Sequence, residues 1–159
     1  MRVRSYCLAG LAVPLTIWAT AVLTHAAADG LITKQSRYSV NDTIARFETA
    51  VRQREMMVFT EIDHAAAAKK FGLEMRPRTV ILFGAPKRGT AVMVKTPLLA
   101  IDLPPKALVW EDDEGKVWLS YNSADYLFNT LYSRHGVQVP PTPWPLARDL
   151  EEMSDYATK

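Results

Sequence analysis

The stretch Leu108-Val109-Trp110-Glu111-Asp112-Asp113-Glu114-Gly115-Lys116-Val117-Trp118-Leu119-Ser120-Tyr121 sets the architecture. Two runs of β-branched, aliphatic and aromatic residues flank a short acidic segment containing a glycine, the pattern of antiparallel strands joined by a hairpin loop. One face of such a hairpin must be buried, and core packing is the first use to expect for Trp110, Trp118 and Tyr121. Their alternative use is to line an apolar pocket or a dimer face.

Working outward, Arg78-Thr79-Val80-Ile81-Leu82-Phe83 reads as a further strand, turned by Gly84 and Pro86. Between it and the hairpin, Val92, Met93, Leu98 and Leu99 predict a helix over 90–100 broken near Pro97 and closed by Pro104-Pro105. Upstream, residues 57–62 form a strand. Asp63 then caps a helix-prone run, His64-Ala65-Ala66-Ala67-Ala68-Lys69-Lys70-Phe71, ended by Gly72. Ser39, with Asp42 three residues on, opens an amphipathic helix whose buried stripe is Val40, Ile44, Phe47 and Val51. Residues 31–38 precede it as a short first strand.

Downstream of the hairpin, Asn122 is placed to cap a helix with the stripe Ala124, Leu127, Phe128 and Leu131, which Gly136 stops. Beyond Val139 the periodicity ends. Pro140, Pro141, Pro143 and Pro145 predict a stiff extended arm over 140–159, with at most a last helical turn in its acidic end. Hairpins and short links in place of a regular βαβ repeat imply an α+β fold. It is a mostly antiparallel sheet with helices packed on one face, in a single compact domain over 29–139.

The first 28 residues have the character of a secretory leader. Arg2 and Arg4 precede an almost uncharged run from Tyr6 to Thr24, and Ala26-Ala27-Ala28 offers small residues for cleavage before Asp29. The alternative is an uncleaved anchor, since the run is nearly long enough to span a bilayer. Periplasmic or secreted location follows from cleavage, and inner-membrane attachment from its failure.

Without Arg2 and Arg4 the 19 basic residues become 17, equal to the 17 acidic ones, and no Lys/Arg stripe stands out. Nucleic acid is therefore not an expected partner. The single cysteine, Cys7, lies in the leader, so the remaining chain has no thiol for a disulfide, a nucleophile or a thiolate-bound metal.

With these segments laid out, the chain resembles the domain of unknown function 302 family. The resemblance is carried by Ser39-Val40, Ile62-Asp63-His64-Ala65-Ala66-Ala67, Gly72-Leu73-Glu74-Met75-Arg76-Pro77, Phe83-Gly84-Ala85-Pro86-Lys87, Gly89-Thr90, Asp102-Leu103-Pro104, Val109-Trp110-Glu111-Asp112 and Ser120-Tyr121. These run in order from about Tyr38 to His135, leaving the leader and the proline-rich arm outside. The resemblance implies a compact α+β domain and a homodimer. It supplies no established activity, so no catalytic role is carried over. Met56-Met57 stands where a glycine-containing turn is expected.

Several residues offer chemistry, each with a plainer use. His64, in the first turn of a helix, meets the positive end of the dipole, which favours a neutral imidazole able to bind metal or take a proton. The plainer reading has Asp63 capping and His64 packing. His135, at a helix C-terminus, is read as architecture. No His-x-x-x-His or Glu-x-x-His pair occurs, so spacing gives no metal site. Asp112, Asp113 and Glu114 lack the alternation of a calcium loop and form a solvated turn. The segment 84–90, between strand and helix, can cradle an anion with Lys87 and Arg88, although a simple turn explains it as well.

The expectation is an exported small-ligand-binding or accessory domain, homodimeric, with cofactor undefined. Its ligand site gathers His64, Arg76, Lys87, Trp110 and Tyr121. The alternative is a histidine-dependent hydrolase or metal enzyme centred on His64 and assisted by Asp63 or Glu111. A structural use of the proline arm, with Trp144 anchoring a partner chain, stands third.

Overall fold

A computed structural model describes residues 30–139, 141 and 144–159. The leader, Pro140 and Pro143 lie outside the described residues. Five strands form one sheet: β1 (Leu31–Gln35), β2 (Met57–Asp63), β3 (Arg78–Gly84), β4 (Lys106–Glu111) and β5 (Val117–Asn122). Their order is β1-β5-β4-β3-β2, and every neighbouring pair is antiparallel. The hairpin β4–β5 and the strand β3 thus form the centre, while β1 and β2 are the edges. The architecture is α+β, an open antiparallel sheet with helices.

The edges are joined by α1 (Val40–Gln53), which crosses the sheet. Ser39 caps it as its sequence predicts: Ser39 Oγ accepts from the Asp42 N–H at 3.1 Å and donates to the Asp42 carboxylate at 2.7 Å. At the other end the expected glycine is replaced by Glu55, which takes a left-handed conformation with φ of 54°. The Glu55 N–H donates to the Arg52 carbonyl and the Met56 N–H to the Val51 carbonyl, the paired bonds of a Schellman cap. Val51 and Met56, one on each side of that turn, are both buried.

Strand registry puts Ile81, Phe83, Ala107, Val109, Leu119 and Tyr121 on the covered face, against Phe47, Ala50 and Val51 of α1. Phe47 and Phe83 meet edge to face with ring centres 5.1 Å apart. The alternate positions Val80, Leu82, Leu108, Trp110, Trp118 and Ser120 fall on the opposite face.

Three short helical segments lie between the strands. α2 (His64–Lys69) is capped by the Asp63 carboxylate on the Ala66 N–H at 2.9 Å. α3 (Pro86–Met93) begins four residues earlier than the periodicity predicts, because Pro86 occupies the first helical position, where its fixed φ fits and its missing N–H costs nothing. A 3₁₀ turn follows over Pro97–Ile101, and the Leu103–Pro104 peptide is cis. After β5, α4 (Ala124–Tyr126) continues as a π-helical stretch over Leu127–Tyr132 and a 3₁₀ turn over Ser133–His135. Its cap is Ser123, one residue later than expected, since Asn122 is still paired with Leu31 in the β1–β5 ladder.

The C-terminal segment corrects the expectation of an arm. Residues Pro145–Thr158 form α5, a 14-residue helix again opened by proline. Its stripe Leu150, Met153 and Ala157 is buried in the same core as α1. Trp144 stacks within 5.2 Å of Phe128 and is nearly buried, so its ring serves the core of its own chain. Lys34 of β1 reaches Glu151 at 2.8 Å and Asp155 at 2.6 Å, pinning the sheet edge to this helix. Burial alone lowers the Lys34 pKa, yet the bonds to Asp155 and Glu151 leave it above the ordinary lysine value.

Candidate functional site

The five residues expected to share one site are not brought together. Trp110 and Tyr121 lie on opposite faces of the sheet, because Trp110 is paired with Trp118 while Tyr121 is paired with Ala107, three positions away on the same strand. Trp110 stacks on Trp118 with ring centres 6.1 Å apart, and its Nε1–H donates to Ser120 Oγ at 3.0 Å. Tyr121 is buried under α5, its hydroxyl 3.1 Å from Ser154 Oγ; that burial raises its pKa.

Arg76 spans the far end of the hairpin, 2.9 Å from Glu111 and 3.2 Å from Asp113. Its charge is already answered. Lys87 is exposed on α3, and His64 is exposed at the start of α2. A shallow groove beside α2 is lined by Asp63, Ala66, Lys69, Leu73, Met75 and Arg76, and His64 is not among its walls. Asp63 is committed to its cap and Glu111 to Arg76, so neither assists His64.

The acidic hairpin tip is organised from within. Asp112 accepts backbone N–H bonds from Glu114 and Lys116, both at 2.9 Å, and the Trp118 indole N–H at 2.7 Å. Burial raises its pKa, but these bonds outweigh it and hold the carboxyl below the ordinary aspartate value. Among the described residues no three His, Cys, Asp or Glu side chains gather as a metal centre requires.

A pocket lies elsewhere in the molecule. Where β3 runs into α3, a pocket of about 190 Å³ opens between α3, the 3₁₀ turn and the π-helical stretch. Phe83, Leu99, Leu103, Phe128 and Val137 give it apolar walls, and Arg88 and Tyr132 supply the polar side chains of its lining. Its size is comparable to that of an apolar cavity of about 150 Å³ that takes up benzene. Gly84 and Gly89 line it with no side chain. A Cβ on Gly89 meets nothing closer than Leu103 at 3.8 Å, so the space is left open by the glycine itself.

Beside the pocket stands a cluster that sequence spacing hid. Asp102 ends the 3₁₀ turn and receives Arg134 Nε at 3.0 Å and Nη2 at 2.9 Å. His135 Nε2 lies 2.6 Å from the same carboxylate, and both side chains are largely covered. The same Nε2 lies 3.2 Å from Arg134 Nε, so carboxylate, imidazole and guanidinium meet at one point. Burial pushes the Asp102 carboxyl up, but the His135 bond and the Arg134 charge prevail and keep it below the ordinary value. Tyr132 is 6% exposed, and burial, reinforced by the Asp102 charge, pushes its hydroxyl up to about 12. It therefore stays protonated at neutral pH. Sequence reads His135 only as a helix end and gives no signal for Tyr132; the Asp102-Leu103-Pro104 motif is the one pointer to this end of the molecule.

Fold and pocket together define a single-domain, open-sheet α+β protein with a small apolar recess in its helical layer beside the Asp102, Arg134 and His135 cluster. The sequence model of the family described as Domain of unknown function DUF302 matches residues 32–154, and the chain belongs to that family. The match includes most of α5, in keeping with the packing of that helix in the core. The crystal structure of an uncharacterized conserved DUF302 protein from Bacillus stearothermophilus superposes with a TM-score of 0.66 at 18% identity. It covers 82% of this chain and 99% of that one, a likeness of fold.

Over 98 residues, 62% of this chain, the sequence is 45% identical to Fluoride-specific ion channel FluC 1 of Brucella suis biovar 1 (strain 1330). The identity is the same over 98 residues of Fluoride-specific ion channel FluC 1 of Brucella abortus biovar 1 (strain 9-941). The matched part spans only 39% and 36% of those relatives. Among the described residues no helix is long and apolar enough to cross a membrane.

Proposed function

We propose that this chain is an exported binding or accessory domain that takes a small ligand in the pocket between α3 and the π-helical stretch. The observation that carries the reading is the pocket itself: apolar walls, two polar side chains and a glycine-lined side, in a chain whose sequence-predicted site residues are dispersed. The accessory role has separate support. In the Brucella relatives, the stretch similar to this chain is a minor part of a longer chain named as a fluoride-specific ion channel. Export is supported by the leader-like first 28 residues. We also propose a homodimer through the face of the sheet that carries Leu108 and Trp110.

The test is to fill the pocket without unfolding the protein. Gly89→Leu places a side chain into the recess from a helical position where the glycine is itself unfavourable by about 1 kcal/mol relative to alanine. Toluene added to the isotopically labelled protein is expected to shift methyl resonances of Leu99, Leu103 and Val137 in the parent and to leave them unmoved in Gly89→Leu. Shifts of equal size in both proteins, or none in either, would remove the pocket as the binding site. Fractionation of cells expressing the full chain checks export: retention in the cytoplasm contradicts it.

A further inference from the structure

The lining of the pocket is uneven in a way that selects among ligands. Fourteen residues form it, and twelve bring only apolar atoms or backbone. The two exceptions are both hydrogen-bond donors at neutral pH. Arg88 is donor-only. Tyr132 is nine-tenths buried, and among the described residues its hydroxyl has no hydrogen-bond partner, although the neighbouring Arg134, His135 and Asp102 are fully engaged with one another. Nor is it sealed: among the described residues no fully buried side-chain polar atom lacks a partner, so the hydroxyl keeps some exposure, and Tyr132 lines this pocket. A largely buried hydroxyl left without a partner is costly unless something supplies an acceptor.

The charges around the pocket point the same way. The Asp102 charge is answered by Arg134 at 2.8 Å, and His135 contacts the same carboxylate. Asp149, largely covered, forms a loose ion pair with the exposed Arg88 at 3.9 Å, too long for a hydrogen bond, so the guanidinium donors are not taken up by it.

Resting on the pocket reading above, we propose that the ligand is a small organic acid, an aromatic or branched carboxylate. Its apolar body packs against Phe83, Leu99, Leu103 and Phe128, and its oxygens are taken by Arg88 and Tyr132. A planar guanidinium suits a carboxylate in two-point contact, and a protonated phenol adds one further donor. The recess is too small for a long acyl chain, which separates this ligand class from lipids.

Benzoate, benzamide and toluene serve as probes of nearly equal shape, titrated into the full-length protein purified from cells and followed by methyl resonances of the pocket. Benzoate is expected to bind at least tenfold more tightly than benzamide or toluene. Arg88→Gln should abolish that preference while leaving toluene binding within about twofold. Tyr132→Phe, which keeps the ring and its packing, should weaken benzoate by about three- to tenfold and leave toluene unchanged. If toluene binds as tightly as benzoate, or if Arg88→Gln does not alter their ratio, the acid assignment falls and the pocket reading stands. If none of the three probes moves a pocket resonance, both fall.

Discussion

Asp102 and His135 stand 33 positions apart, yet their bond closes the end of the helical layer beside the pocket. The acidity of that carboxylate links it to stability. Its folded-state pKa is depressed by His135 and Arg134 against the pull of burial. Its stabilising effect is therefore fully present above the unfolded value of about 4 and is lost as pH falls through the lower folded value. Asp102→Asn is expected to cost about 1 kcal/mol at pH 7, the pair being close to solvent. The gap between variant and parent should narrow as pH falls below about 4. Urea midpoints at pH 7, 5 and 3 check this, and an undiminished gap at pH 3 would show that charge is not what holds the cluster. At this scale the sequence was least legible. Local spacing could show that Ser39 and Asp63 cap helices, because each cap bonds a residue three positions on. It could not show that His135 meets Asp102, nor that Trp110 and Tyr121 point apart, since both depend on registry between distant segments. The site expected from residue type alone was accordingly scattered by the fold.

Elements were legible wherever their signals were periodic or capped, and illegible where proline carried two meanings. Strands β2 to β5 and helices α1 and α2 fall within a few residues of their predicted positions. Pro86 reads as a turn and Pro145 as part of an extended arm, although each begins a helix. The stripe Leu146, Leu150, Met153 and Ala157, spaced four, three and four residues, already carried the signal for α5. The end of α1 shows the reverse case, a turn formed without its usual residue. Glu55 holds φ of 54° in a cap whose hydrogen bonds are complete and whose side chain is exposed. A left-handed conformation costs a non-glycine residue about 1 kcal/mol. Part of that is returned on substitution by glycine through a more flexible unfolded chain. Glu55→Gly is therefore expected to raise stability by a few tenths to about 1 kcal/mol, read as a higher urea midpoint with an unchanged slope. A lower midpoint would mean that the Glu55 side chain makes a contribution the cap geometry does not explain.

For the whole molecule, the two faces of the sheet differ in a way that bears on assembly. α1 and α5 seal one face. The other presents Ile62, Val80, Leu82, Leu108 and Trp110, with Arg78 and Lys106 at opposite ends of the β3–β4 ladder. Its centre thus carries no charge. Ile62 is 43% exposed, a large fraction for an isoleucine on a sheet face. Five strands about 4.8 Å apart and about 20 Å long give a surface of several hundred Å² before side-chain relief is counted. That approaches the roughly 800 Å² per partner of a stable interface. A two-fold pairing of such faces sets Leu108, on the central strand, close to its own copy, and like charges brought together there repel. Leu108→Glu is therefore expected to turn a dimer into a monomer in sedimentation experiments at micromolar concentration. The monomer itself should lose no more than about 1 kcal/mol, because the side chain lies outside the sealed core. Lys106→Glu, at the rim of the same face, should shift the association far less. If Leu108→Glu leaves the sedimentation coefficient of a dimer unchanged, copies of the chain meet elsewhere, and the exposed edge strand β2 is the next surface to substitute. If the parent is already a monomer, this face is free to receive a different protein, as an accessory domain requires.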